Sequence, residues 1–223
     1  RILLENKVSA KNIIINKTFN QDNFFRSIGD VVVEINSIIS PSRSGYELAS
    51  SRITSVDNYN DWKVISQGIS IFYRGEGGET FYNIASQLQR MKAQGRENYL
   101  INSLLSYAAS LKYLNTGGES NRKLSLQLAK RAFEMSPRCD ISNLTLGLAL
   151  ILNQRFEEAY PYLIYATENA TSPLGFFLLS VADMHSGDPQ EAEQHYKRFL
   201  QTQKENTGQL FKLISYPQKY AFK

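Results

Sequence analysis

Cysteine is almost missing: Cys139 is the only one in 223 residues. That excludes an intrachain disulfide and any cysteine-built metal site. Histidine is nearly as scarce, with only His185 and His195. They stand across a turn signal instead of at the i,i+4 spacing that puts two imidazoles on one helix face. Both therefore read as surface or groove residues, and no metal is expected. Long apolar runs are missing too; none approaches the roughly 18 to 20 residues that cross a bilayer. Charge of one sign is thin. The net charge is +4, and basic residues occur as short pairs such as Lys130-Arg131 and Lys197-Arg198. A nucleic-acid-binding face needs a denser stripe, so none is expected from this chain.

The segments that could carry chemistry lack its parts. "RGEGGET", residues 74–80, is glycine-rich but has no Lys-Ser/Thr and does not join a strand to a helix, as a phosphate-binding loop would. It reads as a turn. Cys139 follows Arg138, which would favour a thiolate, yet no base completes a nucleophilic site. Glu157, Glu158 and Glu191 fall at helix starts, where carboxylates complement the helix dipole. No catalytic constellation and no cofactor site is expected.

What is present is a period. "LTLGLALILNQRFEEAYPYLIYATENA" and "FLLSVADMHSGDPQEAEQHYKRFLQTQ" align at an offset of 33 residues. Gly147 falls on Ser180, Ala159 on Ala192 and Leu163 on Tyr196. Upstream, "LLSYAASLKYLNTGGESNRKLSLQLAKRAFEMSP" has the same order of parts with a longer turn. Within each unit apolar residues recur at three and four spacing, so each unit is two helices and a turn. "SGDP" at 186–189 supplies a left-handed glycine, an N-cap aspartate and a first-turn proline. Short side chains at Ala108, Gly147 and Ser180, and at Ala159 and Ala192, let antiparallel helices approach to about 8–10 Å. Ala132 and Ala166 are expected to face the following pair. A weaker unit precedes these, from about Asn60 to Tyr73 and from Glu79 to Gly95. "TGQLFKLISYP" is expected to form a short capping helix, because a stack must cover its last apolar face.

The order of small and large residues at Leu146-Gly147, Ala159 and Ala166 resembles the tetratricopeptide (TPR) repeat. Leu179-Ser180, Gly187-Asp188 and Ala192 continue it, as do Ala132 and Pro137 in the earlier unit. The pattern is degenerate: the usual tryptophan is absent from the later units, Pro173 is displaced by one, and Pro161 falls inside a helix.

The first forty residues differ. "RILLE" and "NIIINKTF" read as strands. "NQDNFFRSIGDVVVEINSIIS" reads as a helix begun at Asp22, with an apolar face running from Phe24 to Ile39. "PSRSGYELASSRITSVDN" is a polar linker. The chain thus divides into 1–40, the end of a small α/β unit; 41–59, a linker; and 60–223, a TPR-like helical-hairpin solenoid. The class is mostly α. The start has no signal-peptide pattern and opens inside a strand-like run, so we expect a piece of a longer protein.

This order resembles bacterial regulators that couple a TolB-like α/β domain to TPR repeats, often behind an OmpR/ToxR-type winged-helix domain. Invasion-gene and acid-responsive activators are of this kind. The resemblance implies an interaction or sensor module of a transcriptional activator, cytoplasmic or, alternatively, the periplasmic part of an anchored regulator. A stand-alone TPR scaffold and an accessory region of a nucleotide cyclase are the alternatives.

In such a stack the first helices line an inner wall. By register that wall holds Lys112 and Tyr113, then Leu144, Leu148, Ile151 and Leu152, then Phe177, Val181, Met184 and His185. Only Lys112 is cationic, so an acidic-peptide clamp is not expected. The wall would take an amphipathic helix of a protein partner, or be filled by the chain's own N-terminal segment or by a second copy.

Overall fold

The computed structural model describes residues 2–6, 11–15, 59–169, 172–202 and 209–214. The chain divides into two compact units, Arg1–Lys63 and Val64–Lys223. In the first, β1 (Ile2–Asn6) and β2 (Lys11–Ile15) pair antiparallel, with Ile2 opposite Ile15 and Leu4 opposite Ile13. The helix expected over 22–39 and the linker up to residue 58 lie outside the described residues.

The rest of what is described is helical. Eight helices follow in order: α1 (Tyr59–Tyr73), α2 (Glu79–Ala93), α3 (Tyr99–Thr116), α4 (Glu119–Met135), α5 (Asp140–Leu152), α6 (Phe156–Asn169), α7 (Pro173–Ser186) and α8 (Pro189–Thr202). A one-turn α9 (Gln209–Leu213) comes last. Local chemistry sets the ends. The Asn98 side chain caps α3 by accepting from the Ile101 N–H at 2.9 Å. Gly187 closes α7 at φ 85°, and Asp188 accepts from the Glu191 N–H at 3.0 Å to start α8, as "SGDP" predicts. Helix α6 runs through Pro161, which is exposed.

Three hairpins, α3/α4, α5/α6 and α7/α8, stack so that each second helix packs on the first helix of the next pair. First helices also touch each other, α3 on α5 and α5 on α7. Second helices meet through long side chains, as where the Phe133 and Tyr162 rings lie edge to face at 5.1 Å. Helix α2 packs on α3, and Gly68 of α1 lies against Leu104, where an added Cβ would come within 2.8 Å of Leu104 Cδ1. A helical-repeat arrangement therefore runs from α3 to α8.

The short side chains explain how close the helices come. A Cβ on Gly147 would stand 2.4 Å from Leu163 Cδ2 and 2.7 Å from its Cγ. Leu163, Ala159, Ala166, Ser180 and Ala192 are all fully buried. Burying a leucine side chain contributes roughly 1.5–3 kcal/mol, and only a glycine at 147 leaves room for it. The α3/α4 hairpin corrects one expectation: Ala108 is half-exposed. There the helices meet through Ser106 and Ser110, whose hydroxyls contact Ser125 on α4. Ser106 and Ser110 share a stripe one turn apart. Ala108 sits two residues from each, about 200° around the helix at 3.6 residues per turn. Among the described residues no helix is long and apolar enough to cross a membrane.

Candidate functional site

The first helices form a continuous wall, and its centre is closed. Every residue of α5 from Asp140 to Leu152 is buried. Leu144 and Leu148 have no exposed surface, and Phe177 and Val181 keep 2% each. Ile151 and Leu152, near the C-terminal end of α5, are buried as well. Access rises toward the C-terminal ends of the neighbouring first helices. Lys112 and His185 are exposed, and Tyr113 and Met184 are half-buried. Two of these four do not face open space. Tyr113 turns to its own hairpin, with the Arg122 guanidinium 5.9 Å from its ring centre. His185 stacks flat on Phe156 of α6 at 4.0 Å. That pair borders a surface hollow of about 320 Å³ lined also by Gln154, Arg155 and Glu158.

Part of the closure comes from two elements that belong to neither α5 nor α7. The Tyr73 hydroxyl at the end of α1 donates to the Asp140 carboxylate at the start of α5. Phe211 of α9 lies 5.0 Å from Phe177 and 5.0 Å from Phe199, edge to face with the first and tilted against the second. The expected capping helix is there, and it covers the last pair. It also doubles back to the first: Leu210 N–H donates to the Gly75 carbonyl at 2.9 Å. The "RGEGGET" turn thus receives α9. The occupant seen among the described residues is a C-terminal segment of the same chain, which is none of the three expected from the sequence. The helix expected over 22–39 lies outside them.

Polar groups inside the stack are paired across helices. His195 is buried, not on the surface as its sequence context suggested. Its Nδ1 sits 2.7 Å from Asp183 Oδ2, with 10% and 4% of the two side chains exposed. A carboxylate only accepts, so Nδ1 carries the proton. Asp183 also affects its surroundings. Burial first, then the charges of Asp183, Glu191 and Asp188, push the Tyr160 phenol above its ordinary range. Asn102, fully buried on α3, accepts from Lys92 Nζ at 2.7 Å and donates to Glu97 Oε1 at 3.0 Å. The Asn102 hydrogen bond, then that of Lys92, holds the Glu97 carboxyl below the usual carboxylate range. Cys139 is buried, with its thiol directed at Asp140 Oδ1, 3.6 Å away. Among the described residues no group of three or more His, Cys, Asp or Glu is placed to hold a metal ion.

Tyr107 is the largest fully buried side chain among the described residues, and its hydroxyl donates to the Glu76 carbonyl at 2.7 Å. The rings of Phe72 and Phe81 meet its ring edge to face at 5.0 and 5.1 Å. Burial, and next the Glu76 charge, push this phenol far above its ordinary range. The raised folded value fixes the sign. Below the ordinary phenol pKa of about 10 both states are protonated and the contribution is complete. As pH rises past that point the unfolded chain ionises and the folded one does not, so stability falls by up to about 1.4 kcal/mol per pH unit. Urea unfolding between pH 8 and 11 should show this loss. It should be shallower in Tyr107→Phe, which in turn loses roughly 1 kcal/mol at neutral pH with its hydrogen bond.

Comparison with protein-family models, with curated proteins and with solved structures finds no match. The site therefore rests on its own geometry. Sequence reasoning missed Gly75, Leu210 and Phe211 as parts of the wall, and Asp183 and His195 as a pair. A signal for the pair was present. In a helical hairpin, residues equally far from the turn face each other, and Asp183 and His195 lie six residues either side of Pro189.

Proposed function

We propose that this chain is the interaction module of a bacterial transcriptional regulator, a TPR-like array that binds a protein partner through the wall of its first helices. The DNA-binding activity belongs to a domain outside these residues, and the module works in the cytoplasm. The observation that carries the reading is the uninterrupted contact of α3, α5 and α7. It builds one apolar surface from three hairpins, which a plain bundle of paired helices does not require. The strand-strand start and the 33-residue period support the same reading through their resemblance to TolB-like/TPR regulators. Binding uses the edge where the wall opens, at Lys112 and Met184, together with whatever part of the centre, Ile151 and Leu152 included, becomes uncovered.

Affinity capture with the intact parent protein, with and without residues 1–223, tests the proposal. A partner that copurifies only when the segment is present is the expected result. Met184→Glu in the same protein places a charge on a half-buried apolar position. It should reduce recovery of that partner at least tenfold while leaving the thermal unfolding midpoint within a few degrees. Unchanged recovery removes the wall from the binding surface.

A further inference from the structure

We infer that α9 is a displaceable latch over the inner wall, holding a site that a partner's short amphipathic helix of the same chemistry competes for. This deepens the interaction reading and rests on it. The chemistry is two adjacent bulky apolar residues and a third one turn later: Leu210, Phe211 and Ile214, at 0%, 9% and 7% exposure.

Three observations make α9 a latch and not one more layer of the stack. First, it spans only five residues. Isolated helices shorter than about 12–15 residues are marginal in water, so α9 is helical because it is docked. Second, its aromatic anchor inserts into surfaces made by other elements. Phe211 enters between Phe177 and Phe199 and lies over Gly75, and Leu210 hydrogen-bonds to that same glycine. The hairpins behind those surfaces are closed by contacts of their own, Gly147 with Leu163 and Asp183 with His195, and these do not involve α9. Third, the receiving turn is cut to the ring. Gly75 has φ +63°, and a Cβ there would stand 2.7 Å from Phe211 Cζ and 2.8 Å from Cε2. A left-handed backbone and the absence of a side chain are both needed at this point.

A surface that accepts Leu-Phe-x-x-Ile from its own chain accepts the same pattern from another, because the recognition is apolar anchors at helical spacing. Attachment gives α9 a high effective concentration. An outside helix therefore binds weakly until the latch is weakened or outcompeted. The latch covers Phe177, which the repeat register places on the partner-binding wall, so closing one closes the other.

The probe is a fluorescent peptide with the sequence of residues 207–217, TGQLFKLISYP, added to the full chain. Phe211→Asp in the chain should release the latch and leave the helical circular dichroism unchanged. It should bind the peptide at least tenfold more tightly than wild type does. A peptide carrying the same substitution should bind neither. In the wild-type chain without peptide, the Leu210 amide should exchange its hydrogen at least a hundredfold faster than amides inside α5, through local opening. A folded variant that binds the peptide no better than wild type overturns the latch. So does a Leu210 amide that exchanges only as fast as α5. If the variant does not fold, the exchange rate in the wild-type chain decides alone. None of these readouts uses the partner, so a failed capture experiment and a failed latch are told apart.

Discussion

Gly147→Ala should lower the unfolding free energy by about 1–3 kcal/mol, the range for overpacking a well-filled core. Two effects oppose each other here. Alanine is the better helix former, by roughly 1 kcal/mol over glycine. Against that, the new Cβ would stand 2.4 Å from Leu163 Cδ2 and 2.7 Å from Cγ. The clash reaches the branch carbon and not only a mobile tip, and Leu163 has no exposed surface into which to swing. Overpacking therefore wins. Leu163→Ala alone should cost about 2–5 kcal/mol through lost burial and the cavity left behind. The double variant should cost less than the sum, with a coupling of roughly 0.5–3 kcal/mol, because the added methyl enters space the leucine has vacated. Urea unfolding of the four proteins measures this. A Gly147→Ala protein as stable as wild type would show that α5 and α6 are not held at this distance.

The second large effect is expected at the buried pair between α7 and α8. His195→Ala leaves the Asp183 carboxylate, 3% exposed, without the imidazole it contacts at 2.7 Å. Leaving a buried charged group without its partner typically costs about 3–5 kcal/mol. The reverse change, Asp183→Ala, leaves a buried imidazole N–H unsatisfied, and its cost should be smaller, roughly 1–3 kcal/mol. Asp183→Asn keeps an acceptor at the same place and should fall below both. The ranking matters more than any single value, and denaturant midpoints would establish it. If His195→Ala proved the mildest of the three, the pair would be carrying no buried charge.

These two sites show how far a sequence of this kind can be read. The offset between Gly147 and Ser180 marks the hairpins, because a small residue recurs wherever two helices must nest. The facing partners follow from symmetry about each turn: Gly147 and Leu163 lie eight residues either side of Arg155. Ala108 shows where such reading slips. In the α3/α4 hairpin a longer first helix (18 residues) and a two-glycine turn break the spacing. The close approach passes to Ser106 and Ser110, whose polarity hid their role in packing. Buried hydroxyls are accepted there because Ser125 and the helix backbone pair with them.

The sequence by itself determined the local terms: that the second half is helical, where Gly187, Asp188 and Pro189 stop one helix and start the next, and that the helices come in pairs. All of these depend on residues a few positions apart, so period and capping chemistry suffice to reveal them. Tertiary structure alone decided what becomes of the wall. Gly75 and Phe211 are far apart in the chain, and no period links them. Their meeting depends on how much each stacked pair turns relative to the last, a sum of small packing angles that brings α9 back to the first turn. That sum lies in the shapes of buried side chains taken together, so a groove written in the repeat as open is, in the folded chain, held shut.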